Sequence, residues 1–226
     1  MSQPGERFSK VRALIFDLDG TLIDSKLDLA LSINAMLEHM GREQHVHETI
    51  FGFVGNGAQV LVRKSLGKGA TEEDVNRGLA YFLSYYRSHM LDNTVLYPGV
   101  LEALEQFHQV ERYSMSVLTN KPVNFSRSIL DGLNLSRFFV SVYGGNSFER
   151  KKPDPMGVEA LLGEMLASRS EAMMIGDSEV DVKTARNAGI LACGVTYGFD
   201  LEGLRVHPPD IMVDNLIDLP PHLERN

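Results

Sequence analysis

The stretch Val11-Arg12-Ala13-Leu14-Ile15-Phe16-Asp17-Leu18-Asp19-Gly20-Thr21 constrains this chain more than any other part of it. A short apolar run bounded by basic and polar residues is the pattern of a strand buried on both faces, as in a parallel sheet. The run ends in two carboxylates one residue apart, followed at once by Gly and Thr. Parallel α/β sheets bind their ligands at the carboxyl ends of the strands. Paired acids delivered to that edge cost desolvation energy unless a cation or hydrogen-bond donors meet them there.

Periodicity divides the rest of the chain. Residues 24–94 carry only helical signals. Asp24-Ser25 is expected to cap an amphipathic helix whose apolar face holds Leu27, Leu31, Ala35 and Leu37–Met40, stopped by Gly41. Glycine-punctuated Phe51–Gly57 opens a short helix through Val60, Leu61 and Val62, and His45 and His47 fall in a polar loop. Thr71 to Asp74 is a capping box before a helix with Val75, Leu79, Phe82, Leu83 and Tyr86. From Tyr97-Pro98-Gly99 onward, strands at Ser114–Leu118, Phe139–Tyr143, Ala172–Ile175, Leu191–Val195 and Ile211–Val213 alternate with helices near Val100–Phe107, Val123–Leu130, Pro155–Leu166 and Glu179–Ala188. Strands separated by helices imply right-handed crossovers. The expected fold is α/β, a Rossmann-like parallel sheet core (residues 1–23 and 95–226) with helices on both faces. The α-helical block 24–94 is then an inserted cap above the acids.

Composition narrows the partners. The 226 residues are 43% apolar and 23% charged, with a net charge of −8. No basic cluster exceeds Arg150-Lys151-Lys152, which argues against nucleic acid or an anionic membrane as a partner. No apolar run approaches the ~18 residues of a membrane span. A single cysteine, Cys193, and a polar Met1–Lys10 predict a cytoplasmic protein with no secretory leader; monomer and homodimer both stay open. Cys193 reads as a buried small hydrophobe, and His45 and His47 as surface residues rather than a metal site.

Four strand ends hand over to polar residues: Asp17, Asp19 and Thr21 after the first; Thr119-Asn120 after Leu118; Lys151-Lys152-Pro153-Asp154-Pro155 after the next; and Gly176-Asp177-Ser178-Glu179-Val180-Asp181 after Ile175. In a parallel sheet all four meet at one edge. Asp17, Asp19, Asp177 and Asp181 cannot all ionise there without counter-charge. Lys152 supplies one positive charge, and an all-oxygen donor set favours Mg2+ as the other. Magnesium with carboxylates suits a phosphate ligand. The Thr119 hydroxyl, Lys152 and the N–H groups after Asp17 would receive its oxygens. Ser178 reads equally as a helix N-cap or a site residue, and Asp154-Pro155 as a helix start.

DLDGTL, the strand ending LTN, KKPDP and GDSEVD, in this order, resemble the four motifs of the haloacid dehalogenase superfamily over nearly the whole chain. Val54-Gly55-Asn56-Gly57 with Leu61, Gly144-Gly145 and Thr196-Tyr197-Gly198 resemble its bacterial phosphoglycolate phosphatases. The resemblance implies a nucleophile at Asp17 that forms an aspartyl-phosphate and an acid–base at Asp19. Metal would be held by Asp17, the Asp19 carbonyl and Asp177. Phosphate would be bound by Thr119, Asn120 and Lys152, with Asp181 and Ser178 behind them. A cap would read a small phosphorylated acid, 2-phosphoglycolate, through Asn56, Gly57 and Lys64 or Arg63. Lys64 stands where this family is expected to carry Arg, which weakens bidentate carboxylate recognition.

The second acid separates this chain from relatives that cleave halides or phosphonates, which lack it. A sugar phosphomutase, or a phosphatase of another small ester or of pyrophosphate, keeps both acids and stays open. A phosphorylatable receiver domain also gathers acids, a hydroxyl and a lysine at a sheet edge, but needs no helical insert of ~70 residues.

Overall fold

The protein, described here from a computed structural model, is laid out over residues 7–224. The leader expectation rests on residues 1–10, of which 1–6 lie outside the described residues. The chain forms two compact units, residues 1–23 with 96–226 and residues 24–95.

The strands are β1 (Ala13–Phe16), β2 (Ile23–Asp24), β3 (Val95–Leu96), β4 (Ser114–Leu118), β5 (Ser141–Tyr143), β6 (Ala172–Gly176), β7 (Leu191–Val195) and β8 (Ile211–Val213). Six of them make one sheet in the order β5-β4-β1-β6-β7-β8, and all neighbours run parallel. The strand order reverses between β1 and β6, the switch point where such sheets bind ligands.

All four residues of β1 are fully buried, and strand alternation sends them to opposite faces. Ala13 and Ile15 join a cluster with Val158 and Leu161 of helix Met156–Glu164 and with Val182 and Ala185 of helix Glu179–Ala188. Phe16 packs on Phe107 of helix Val100–Gln109 and on Phe139, at centroid distances of 6.5 and 6.1 Å. Burying each such side chain contributes about 1.5–3 kcal/mol, so the strand that carries the acids is anchored from both sides.

The expected strand at 139–143 begins only at Ser141, because Ser136–Phe138 is a 3-10 turn and Phe139 turns its ring onto Phe16. Short helices Leu201–Val206 and Leu219–Glu224 follow where none was foreseen. Asp200 caps the first of these, its Oδ1 accepting from Gly203 N–H at 2.9 Å.

The second unit holds helices Lys26–His39, His47–Phe51, Ala58–Leu66 and Glu72–His89. Thr71 and Asp74 form the reciprocal capping box that the sequence predicts, with both backbone bonds at 3.1 Å. The first helix corrects the sequence reading: Leu27 and Leu31 are 39% and 41% exposed, whereas Leu29, Ile33, Met36 and Leu37 are buried. The buried set follows the i, i+4, i+7, i+8 stripe. Its rotation is set by Asp28, which turns inward to accept from Asn93 and Thr94. His47 starts a helix instead of lying in a loop. His45 is held at both ends, its backbone by the Asn34 amide and its Nε2 by Ser65 O at 2.8 Å. Among the described residues no helix is long and apolar enough to cross a membrane.

Candidate active site

The site grows out of strand register. Phe16 is level with Val117 on one side and Ile175 on the other, so the residues just past β1, β4 and β6 emerge together. Asp17 N–H still bonds Ile175 O at 2.9 Å, and Thr119 N–H bonds Tyr143 O at 3.0 Å. Both side chains therefore leave a backbone that is fixed by the ladder. Asp17, Asp177 and Asp181 each place a carboxylate oxygen within 4.8 Å of the others, and all three are buried.

Lys152 enters this cluster from the segment after β5. Its Nζ lies 3.0 Å from Asp17 Oδ1 and 2.6 Å from Asp181 Oδ1. Asn120 Nδ2 donates to the Lys152 carbonyl at 3.2 Å and ties the lysine's backbone to the loop after β4. Asp181 is set by the helix it starts: Ser178 Oγ and N–H donate to its Oδ2 at 2.6 and 3.2 Å. Ser178 is thus the N-cap residue and also orients an acid of the cluster. Asp177 accepts from Thr21 Oγ1 at 3.2 Å and from Phe199 N–H at 2.6 Å. Tyr197 Oη donates to Thr21 O at 2.8 Å.

Glycine is required at two positions around Asp177. Gly20 has φ +87°, and a Cβ there would lie 2.3 Å from Asp177 Oδ2; one on Gly198 would lie 2.2 Å from Asp177 Cβ. Gly20→Ala is expected to cost about 1–2 kcal/mol from the positive φ alone and to push the Asp177 carboxylate out of place. Its melting temperature should fall, and any gain on adding Mg2+ should shrink relative to wild type. A variant that melts and responds like wild type would show that the crowding is relieved elsewhere.

Electrostatics is strained by design of the cluster. Burial pushes the Asp17 carboxyl up to about 6, against the pull of Lys152. Burial also raises Asp177 well above the usual carboxylate range, with Asp181 and Asp17 adding repulsion. Burial alone would lower Lys152, but Asp17 and Asp181 overcome it and hold the ammonium charged. Three buried carboxylates face one ammonium, so ionising all three would leave two negative charges unmatched. A hard divalent cation fits this donor set, since every available ligand atom is oxygen.

The other sequence candidates divide by unit. Asp19 keeps its carboxylate out of the acid cluster and pairs with Lys121, Nζ to Oδ1 at 2.9 Å and to Oδ2 at 3.1 Å. Sequence reasoning gives Lys121 no role. It directly follows Thr119-Asn120 in the same strand-end loop, but its partner lies far away in the sequence. Tyr197 and the Phe199 N–H were not assigned roles either. In the helical unit Asn56 is exposed, Gly57 precedes helix Ala58–Leu66 with φ 85°, and Lys64 Nζ sits 5.7 Å from the Phe53 ring centroid. Arg63, the other cation weighed there, makes a two-pronged pair with Glu72 at 2.6 and 2.7 Å.

An aspartate-loaded switch point of this form, with a lysine and a hydroxyl from neighbouring strand ends, defines a class of hydrolase. A family model of haloacid dehalogenase-like hydrolases matches residues 14–195, and the chain belongs to that family. The relatives it resembles are more particular. It is 36% identical over 216 residues to a phosphoglycolate phosphatase of Vibrio parahaemolyticus, covering 92% of this chain and 94% of that one. It is 37% identical over 217 residues to a phosphoglycolate phosphatase of Pseudomonas putida, covering 93% and 79%. The solved structure of a predicted phosphoglycolate phosphatase from Haemophilus somnus 129pt superposes with a TM-score of 0.86 at 31% identity, covering 94% of this chain and 97% of that one.

Proposed function

We propose that this hydrolase is a Mg2+-dependent phosphatase that converts 2-phosphoglycolate to glycolate through an aspartyl-phosphate on Asp17. It is a phosphoric monoester hydrolase by its relatives, and their names supply the substrate. One observation carries the mechanism: a buried Asp17–Asp177–Asp181 cluster with Lys152 paired to two of its acids. Asp17, Asp177 and the Asp19 carbonyl would hold the metal, which when bound offsets charge on the cluster and on the phosphoryl group.

The chain's own residues divide the remaining work. Lys152 Nζ and Leu18 N–H both donate to Asp17 Oδ1, at 3.0 and 2.7 Å, which orients the carboxylate and leaves Oδ2 for attack on phosphorus. As the Oδ2–P bond forms, the P–O bond to glycolate breaks and Asp19 protonates the departing oxygen. Asp19 then takes a proton from the water that attacks phosphorus, releasing phosphate and restoring Asp17. Thr119, Asn120 and Lys152 line the phosphoryl side and stabilise charge as it shifts. The helical unit, through Asn56, Gly57 and Lys64, is the proposed selector of substrate. The protein works in the cytoplasm on a small acid, with no nucleic-acid partner.

The test is phosphate release from 2-phosphoglycolate, glucose 1- and 6-phosphate, nucleotides, pyrophosphate and p-nitrophenyl phosphate, with Mg2+ and with EDTA. Preference for 2-phosphoglycolate that EDTA abolishes is the expected result. Release from none of them would shift the assignment to a phosphomutase or a phospho-switch. In the same buffers Mg2+ should raise the melting temperature, because a ligand at 100 times its Kd stabilises by about 2.7 kcal/mol. No shift at millimolar Mg2+ would remove the cluster as its site.

A further inference from the structure

Among the described residues two lysines are buried, Lys121 and Lys152, and the roles above use Lys152. Lys121 and Asp19 side chains are only 4% and 13% exposed, and the ammonium engages both Asp19 oxygens. Lys152 pairs with Asp17 and Asp181, and Lys121 pairs with Asp19. We propose that Lys121 determines specificity: it receives the carboxylate of the substrate and in doing so releases Asp19 to the leaving oxygen. This rests on the phosphatase reading and deepens it.

The geometry leads there in three steps. Asp19 must present an oxygen to the leaving group, and here both oxygens are held. An ammonium is a compact charge with three donors that a competing anion can draw over, whereas a neutral leaving group has nothing to draw it with. Reach also fits. The leaving oxygen would sit about 2.7–2.8 Å from Asp19 when hydrogen-bonded. A carboxylate one carbon beyond that oxygen lies about two or three bond lengths away, beside an Nζ that is itself about 3 Å from Asp19. The backbone of Lys121 is pinned, its N–H on Thr119 Oγ1 at 3.2 Å and its carbonyl on Gly145 N–H at 2.9 Å. Re-aiming is therefore confined to the side chain, next to the hydroxyl proposed to bind phosphate. Selectivity built this way appears in kcat, since a substrate without the anion leaves Asp19 clasped.

The experiment measures kcat and KM with Mg2+ for 2-phosphoglycolate, its neutral amide and ethyl phosphate. Wild type should turn over the amide with a kcat at least about tenfold below that of the acid. Lys121→Met should lower kcat/KM for the acid at least about tenfold more than for ethyl phosphate, whereas Lys64→Ala should act on KM for the acid. A wild-type amide that differs only in KM, or a Lys121→Met loss equal for acid and ethyl ester, overturns the role of Lys121 while leaving the phosphatase reading intact. The amide comparison stands even if Lys121→Met does not fold. A wild type that prefers uncharged esters removes the substrate reading and this inference with it.

Discussion

Asp17→Asn is expected to cut phosphate release by on the order of 10⁴-fold or more while the protein stays folded. An amide oxygen cannot form the covalent intermediate, and nothing else in the cluster is placed to take over, because Asp177 is occupied by Thr21 and Phe199 and Asp181 by Lys152 and Ser178. Folding should not suffer. With its pKa raised to about 6, above the unfolded carboxyl value of about 3.9, Asp17 favours the fold in its protonated form. That stability is present below the unfolded value and is lost as pH rises through about 6. In EDTA, wild type should therefore melt lower at pH 7.5 than at pH 5, and Asp17→Asn should melt no lower than wild type at pH 7.5. Lys152 keeps Asp181 as a partner in the variant. Retained turnover would overturn Asp17 as nucleophile, and a collapsed melting transition would mean the lost activity reports unfolding instead.

The largest stability effect is expected away from the acids, at Asp28→Ala. Asp28 is 1% exposed and accepts from Asn93 N–H at 3.0 Å to each oxygen, from Asn93 Nδ2 at 2.8 Å, and from Thr94 N–H and Oγ1 at 2.8 Å each. A single carboxylate thus ties the first helix of the helical unit to that unit's last residues. Truncation leaves buried donors without an acceptor, each costing about 1–3 kcal/mol. The sum should be about 3–5 kcal/mol, on the order of 10 °C in melting temperature for a chain of this size. Asp28→Asn, which keeps one acceptor, should fall between. Asp92→Ala, where an exposed acid pairs with His89 at 2.7 Å, should stay within about 1 kcal/mol. Equal effects for Asp28→Ala and Asp92→Ala in urea melts would show that the network contributes little.

Asp28 also marks where reading from sequence stops. Local periodicity puts the apolar stripe through Leu27 and Leu31. The true stripe is one step round, because Asp28 has a partner 66 residues away. Lys121 is hidden for the same reason: its pairing with Asp19 spans 102 positions, and nothing local at Asn120-Lys121-Pro122 announces that partner. The hydroxyl of Tyr197 reaches Thr21 across 176 positions.

By itself the sequence determined the α/β class, the parallel strands from β4 onward, the capping box at Thr71 and the strand-end acids. These depend on side-chain period, turn chemistry and the rule that strand ends face the ligand, all of which act over a few residues. Tertiary structure alone decided which oxygens of which acids converge, that Asp19 meets Lys121 rather than the acid cluster, and which face of the Lys26–His39 helix is buried. Those outcomes are set by burial and charge compensation between segments far apart in the chain. Charges in a low-dielectric interior must find partners, and only the assembled sheet brings those partners within hydrogen-bond distance.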